Sequence, residues 1–301
     1  MRRGRATREI LRCAWREWGE DKASRLAAAL AYYTALSLAP MVVLGVLLLK
    51  FLGLDGRELI EQQMAMLMGD AGSEMAREMI TSARASEGWL AGIASFALLM
   101  WGASNVFAEL QDSMNTIWEV RLRPGLGWRE TIRRRFLSMA MVLGIGFLLL
   151  TSLFVSTLLA ALARRIAGEA AIVSVLLDTL LTLSVATAFF AAIFKVLPDL
   201  EIGWRHVLPG AVLAATLFTI GKSVLVWYLA FGSTASAFGA AGSLAAVLVW
   251  VYYSSQIMFF GAEFAQAHAQ HHGAAPRFDA DVIPVTEERR AEQGLTRSRE
   301  S

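Results

Sequence analysis

Cysteine occurs once in this 301-residue chain, at Cys13, so no disulfide can close within it and no cysteine-based metal site can form. Histidine occurs four times, at His206, His268, His271 and His272. Metal-assisted hydrolysis of a phosphodiester needs histidines and carboxylates gathered around one or two cations. His268 and His272 stand four apart and can share a helical face, yet no acidic motif accompanies them, and His206 stands alone at a helix start. No glycine-rich phosphate loop occurs, which argues against an ATP-driven pump in this chain. Charged residues are scarce, at 18%, and no alternation of apolar and polar residues marks barrel strands. We therefore expect no metal, no cofactor, no nucleic-acid partner and no enzymatic activity.

What is abundant is apolar sequence that favours helices. Hydrophobic residues make up 56% of the chain, and roughly 20 of them in a row cross a hydrocarbon core of ~30 Å at ~1.5 Å rise per residue. Six stretches are long enough: Leu26–Leu52, Gly88–Glu109, Phe136–Ala163, Ala171–Leu197, Val207–Phe231 and Ala240–Ala267. The expected fold is all-α, a polytopic membrane protein with six transmembrane helices and short amphipathic interfacial or external helices. Residues 1–25 form a basic cytoplasmic segment, 26–270 the transmembrane domain with an external helical segment at 53–87, and 271–301 a polar tail read as disordered. The first stretch exceeds a secretory h-region and lacks a small-residue cleavage site after it, so it reads as a retained anchor.

Basic residues of short loops stay on the cytoplasmic side. Segment 1–25 carries Arg2, Arg3, Arg5, Arg8, Arg12, Arg16, Lys22 and Arg25, and segment 110–135 carries Arg121, Arg123, Arg129, Arg133, Arg134 and Arg135. The 53–87 loop is acidic and 232–239 carries no charge. The expected topology places both termini in the cytoplasm of a bacterial cell, with membrane lipids as partners. The basic 121–135 stretch then serves the membrane boundary rather than RNA. Before the first span, Ile10, Leu11, Ala14, Trp15 and Trp18 recur at helical spacing beside Arg8, Arg12 and Arg16. That pattern fits a helix lying in the membrane interface and equally a helix packing its apolar stripe on the protein.

Inside the spans, Ala27, Ala31, Ala35 and Ala39 repeat every fourth residue, which lets another helix approach closely. Pro40 interrupts the hydrogen bonding of the same span. Ionisable groups within a membrane cost roughly 2.5–3.5 kcal/mol each unless paired or hydrated. Asp178 and Lys222 lie at similar expected depth in spans four and five and read as a charge pair, either a clamp between helices or the lining of a cavity. Glu109 and Glu263 lie near the cytoplasmic ends of spans two and six. Trp101, Asn105 and Glu109 share one helical face, as do Tyr252, Gln256, Phe259 and Glu263, and the first span adds Tyr33, Thr34 and Ser37 beside Pro40. A hydrated or ligand-accepting path lined by Tyr33, Ser37, Pro40, Asn105, Glu109, Tyr252, Gln256 and Glu263 is one expectation. An interhelical hydrogen-bond network is the other.

Four blocks of the sequence resemble the YihY/BrkB inner-membrane proteins of bacteria, a family once labelled ribonuclease BN. They are LAAALAYYTALSLAP (26–40), WGASNVFAELQDSMNTIW (101–118), KVLPDLEIGWRHVLPGA (195–211) and FGAAGSLAAVLVWVYYSSQIMFFGAEF (238–264). The resemblance runs from about Ala23 to Ala269 and implies a six-helix inner-membrane protein with cytoplasmic ends. It carries over Tyr33, Ser37, Pro40, Pro198, Asp199, Gly210, Gly239, Gly242, Ser243, Tyr252, Tyr253, Gly261 and Glu263 as family features. The family is linked by name to virulence and serum resistance. The expected function is that of a transporter or flippase of a lipid or other amphiphile, tied to envelope integrity. The alternative is a non-transporting scaffold for envelope partners, and ribonuclease activity is the reading least supported by the residues.

Overall fold

The computed structural model describes residues 2–51, 89–123, 171–231, 240–273, 277–278, 282–292 and 295, with isolated positions between 58 and 81 and at 140. These residues are mostly helical. In chain order the elements are α1 (Arg2–Glu20), α2 (Ala23–Phe51), α3 (Trp89–Ile117), β1 (Val120–Leu122), α4 (Ala171–Val196), β2 (Leu200–Glu201), α5 (Trp204–Phe231), α6 (Ala240–His271), β3 (Arg277–Phe278), β4 (Val282–Pro284) and α7 (Glu287–Glu292). Among the described residues one helix, Leu244–His271, is long and apolar enough to cross a membrane. The expected first, second, fourth and fifth spans fall on α2, α3, α4 and α5; the third, Phe136–Ala163, lies outside the described residues except for Ala140.

Helix ends are set by local backbone chemistry. Lys22 takes φ +51° and Glu119 φ +54°, a left-handed conformation costing roughly 1–2 kcal/mol for a residue with a Cβ. Lys22 N–H donates to the Gly19 carbonyl at 3.2 Å, closing α1 before α2 starts, and Glu119 N–H donates to Thr116 at 3.1 Å, closing α3. Both turns place an acidic side chain, Asp21 or Glu119, at a helix end.

The chain divides into two compact units. The first comprises residues 1–23, 110–219 and 257–301. Its core holds Met114, Ile117, Phe194, Val207 and Phe259, all fully buried. Helix α1 packs Ile10 and Ala14 against Phe264 and Ala267 of α6, with Cys13, Leu213 and Phe260 around them. Of the two expectations for α1, packing on the protein therefore holds for this stripe, while Leu11 and Trp15 stay exposed on another face. Helices α5 and α6 meet through small residues. A Cβ added to Gly210 would stand 2.7 Å from Ala265 Cβ, and one on Gly261 would stand 2.6 Å from Ala214 Cβ.

The expectation of a disordered tail is overturned for its described residues. Strand β4 pairs antiparallel with β1 (Val120↔Pro284, Arg121↔Ile283, Leu122↔Val282), and β3 pairs with β2 (Leu200↔Phe278, Glu201↔Arg277). Val282, Arg290 and Leu295 are buried. Polar composition concealed a short branched run, Val282-Ile283-Pro284-Val285, which suits edge pairing.

The second unit comprises residues 24–109 and 220–256. Ala27, Leu30 and Ala31 of α2 are buried, as the small-residue register anticipates. Gly102 of α3 lies against Ser37 of α2, with an added Cβ only 2.8 Å from Ser37 Cβ. Gly221 sits under the Tyr253 ring. In the 53–87 segment Ala76 and Ile80 are buried, and Arg77 pairs with Glu61 at 3.3 Å. Ile93, Phe96, Leu98 and Trp101 of α3 are each more than half exposed, an apolar surface that lipid would cover at no cost in hydration.

Candidate functional site

The expected path residues separate into three situations. Tyr33 and Ser37 are half-buried on α2, and the Ser37 hydroxyl donates to the Thr34 carbonyl at 2.9 Å; with Gly102 against it, Ser37 is a packing residue. Asn105 and Glu109 are half-buried on α3, and Glu109 has an interaction partner. Trp101 points outward at 59% exposure and does not join them in a buried face. Pro40 lies within α2 and Asp178 within α4, but their side chains lie outside the described residues, and with Asp178 goes the expected pair to the half-buried Lys222.

On α6 the picture is different. Ser254 and Ser255 satisfy their hydroxyls on the carbonyls of Trp250 and Val251, at 2.8 and 2.7 Å. Tyr252 is partly exposed. Gln256 keeps a buried side-chain oxygen, and Glu263 two, with no hydrogen-bond donor among the described residues. Glu263 is completely buried.

The structure gathers around Glu263 residues that sequence reasoning did not connect to it. The charges acting on it are Asp21, Glu17, Arg290 and Glu119. Arg290, from the tail, donates Nη1 to Glu119 Oε1 at 3.0 Å and Nη2 to Asp21 Oδ1. The Arg290 and Asp21 side chains are only 4% and 3% exposed. Burial pushes the Asp21 carboxyl up to about 6, against the Arg290 guanidinium that pulls it down, and Glu119 and Glu17 add to the rise. Sequence reasoning named neither Asp21 nor Arg290; a local signal available for the latter is Thr286 followed by Glu287 and Glu288, which has the composition of a helix start. The Arg290 N–H donates to the Thr286 carbonyl at 3.0 Å in the helix so begun.

A second polar assembly fixes the turn between α4 and α5. The Asp199 carboxylate accepts from Gln111 Nε2 at 3.1 Å and Asn115 Nδ2 at 2.8 Å, while the Asp199 N–H donates to Asn115 Oδ1 at 2.9 Å. Lys195 Nζ closes the same turn by donating to the Ile202 carbonyl. Asn115→Leu is expected to cost about 1–3 kcal/mol, because it removes both the donor to Asp199 Oδ2 and the acceptor of the Asp199 N–H; denaturant unfolding in detergent measures this. His206, read from sequence as solitary, has its ring 6.2 Å from that of His268, whose ring lies tilted 4.2 Å from that of His272. Among the described residues no three His, Cys, Asp or Glu converge as a metal ion would require.

Comparison with known proteins agrees with the four blocks identified in the sequence. A family model described as virulence factor BrkB matches residues 14–282. The chain is 30% identical over 264 residues to a UPF0761 membrane protein of Alkalilimnicola ehrlichii, covering 85% of this chain and 57% of that protein. It is 30% identical over 264 residues to one of Tolumonas auensis, covering 83% and 82%, and 28% identical over 251 residues to one of Pseudomonas aeruginosa, covering 80% and 58%. The chain spans a little over half the length of the first and third of these relatives. No solved structure matches it. From the blocks at 26–40, 101–118, 195–211 and 238–264 and the family match that encloses them, the chain belongs to the BrkB family of membrane proteins.

Proposed function

We propose that this protein is a multi-pass transporter or flippase of the bacterial inner membrane, with both termini cytoplasmic, that moves a lipid or another amphiphile and so supports envelope integrity and serum resistance. The observation that carries the reading is the buried Glu263 of α6. Glu263 holds two buried oxygens without donors among the described residues, on the helix whose length and composition suit a membrane span. Buried polar groups are nearly always hydrogen-bonded, and in a membrane an isolated charge costs roughly 2.5–3.5 kcal/mol. Water or the polar group of a ligand supplies the missing donors. An amphiphile fits such a site, because its polar headgroup brings the missing donors. No bond in the substrate is broken, so the reading is not enzymatic.

The test is movement of fluorescent phospholipids between leaflets of liposomes holding the purified protein. We expect movement well above empty vesicles in the wild type. Glu263→Gln and Lys222→Met are expected to lose at least about tenfold of it, a barrier change of about 1.4 kcal/mol, while staying folded and abundant. Movement no faster than in empty vesicles would overturn lipid translocation and favour a scaffold acting through the 53–87 segment.

A further inference from the structure

Helix α1 has two apolar faces and buries one of them. Ile10 and Ala14 pack on Phe264 and Ala267 of α6, while Leu11 and Trp15 stay exposed, Trp15 at 65%. A helix turns by about 100° per residue, so Trp18, Leu11 and Trp15 fall in an arc of about 60° beside the buried one. Arg8 and Arg12 follow within roughly the next 60°, and both are exposed. Among the described residues no carboxylate pairs with either, whereas Arg16, further round, is turned to Glu20 at 3.8 Å. The outer side of α1 is thus apolar next to the protein and cationic beyond it.

Depth along α6 indicates what covers this face. Trp15 packs edge-on against Phe260 with ring centroids 6.0 Å apart and stacks on Trp18 at 5.5 Å. Phe260 lies about 24 Å along the helix from Leu244, at ~1.5 Å per residue, in a hydrocarbon core of ~30 Å, and Leu244 begins the stretch that suits a membrane span. Trp15 therefore stands near one boundary of that span. Trp204 marks the same end: it opens α5 and is 54% exposed, and nearby His206 has its ring 6.2 Å from that of His268 in the last turn of α6. Leu208 and Val212 continue its exposed row at four-residue spacing. Tryptophan gathers at the two surfaces of a bilayer, and a helix with an apolar and a basic side lies in such a surface.

We propose that the Leu11 and Trp15 face of α1 lies in the membrane interface, where Arg8 and Arg12 hold the phosphates of anionic phospholipids. An anionic surface attracts basic residues within a Debye length of it, and a guanidinium gives a phosphate two parallel N–H donors. Glu9, on the far side of the helix and exposed, stays in water. Because Ile10 and Ala14 join α1 to α6, this contact also sets the height at which α6 sits in the bilayer. The choice of leaflet follows from the topology proposed above; the contact holds whether or not the protein moves lipid.

The wild-type chain reports the headgroup contact. Phenylglyoxal modifies exposed arginines of the protein reconstituted in phosphatidylcholine vesicles, and mass spectrometry reads each site. Replacing part of the phosphatidylcholine by phosphatidylglycerol should slow modification of Arg8 and Arg12 at least about threefold relative to Arg289, which is half exposed beside the Arg290 that binds Asp21 after α1. Slowing no greater than that of Arg289 overturns the headgroup contact. Depth is read with a nitroxide on Leu11→Cys or Glu9→Cys, each combined with Cys13→Ala, in the mixed vesicles. The label at 11 should collide more with oxygen than with a water-soluble nickel chelate, and the label at 9 should do the reverse. A label at 11 open to the chelate overturns the interfacial placement, and one shielded from both reagents overturns it in favour of a protein partner or a second copy. Leu11 and Glu9 are exposed, and the arginine measurement needs no substitution.

Discussion

Arg290→Ala is expected to destabilise the first unit by about 3–5 kcal/mol, the usual effect of removing one partner from a buried ion pair. The side chain is nearly inaccessible and ties Asp21 to Glu119 across the tail. Its loss removes the guanidinium that joins those two carboxylates. Thermal or denaturant unfolding in detergent measures the loss, and proteolysis should cut between 277 and 295 long before the helices. Arg290→Lys should recover only part of it, because an ammonium cannot present two fixed donors to two acceptors. Adding Asp21→Asn to Arg290→Ala should restore stability relative to the single variant by relieving the stranded charge. An alanine variant as stable as the wild type would show that the tail docks for other reasons.

Gly261→Leu is expected to prevent α5 and α6 from closing. A Cβ alone at 261 would meet Ala214 Cβ at 2.6 Å and Phe194 Cζ at 3.2 Å, and the contact atoms on α5 include helix backbone that cannot rotate aside. Overpacking a well-filled site costs about 1–3 kcal/mol, and a leucine here brings three further carbons into the same space. The expected outcome is a sharp fall in folded, monodisperse protein on size exclusion, with Gly261→Ala intermediate. Gly19→Ala is the contrast: nothing lies within 4 Å of the added Cβ, and within α1 the change should stabilise by up to about 1 kcal/mol through helix propensity. Equal behaviour of Gly261→Leu and wild type would exclude close helix contact at this position.

Much of the helical framework was legible because apolar length and small-residue spacing are local properties. Ala27 and Ala31 reveal a close approach by their spacing alone, and the same logic applied to Gly210 with Ala214, and to Gly261 with Ala265, would have located the α5–α6 contact. Glu263 was legible as an anomaly, since an acid in an apolar helix demands a reason. Its surroundings were not, because Asp21 and Arg290 are 269 positions apart and no periodicity links them. The tail was misread for a related reason. Disorder was inferred from composition, whereas the order comes from two short strands whose partners, β1 and β2, lie far back in the chain. His206 was likewise read as alone because its neighbour His268 is distant in sequence.

The tie between the two ends of the first unit also constrains how the protein is made. Asp21 leaves the ribosome 269 residues before Arg290, and at a synthesis rate of about 5–20 residues per second this is an interval of roughly 13–54 s. Throughout that time Asp21 lacks its guanidinium, and β1, once made, lacks its partner strand until residues 282–284 emerge. A chain interrupted before Arg290 leaves both exposed, which offers the cell's proteases a way to distinguish unfinished molecules from finished ones.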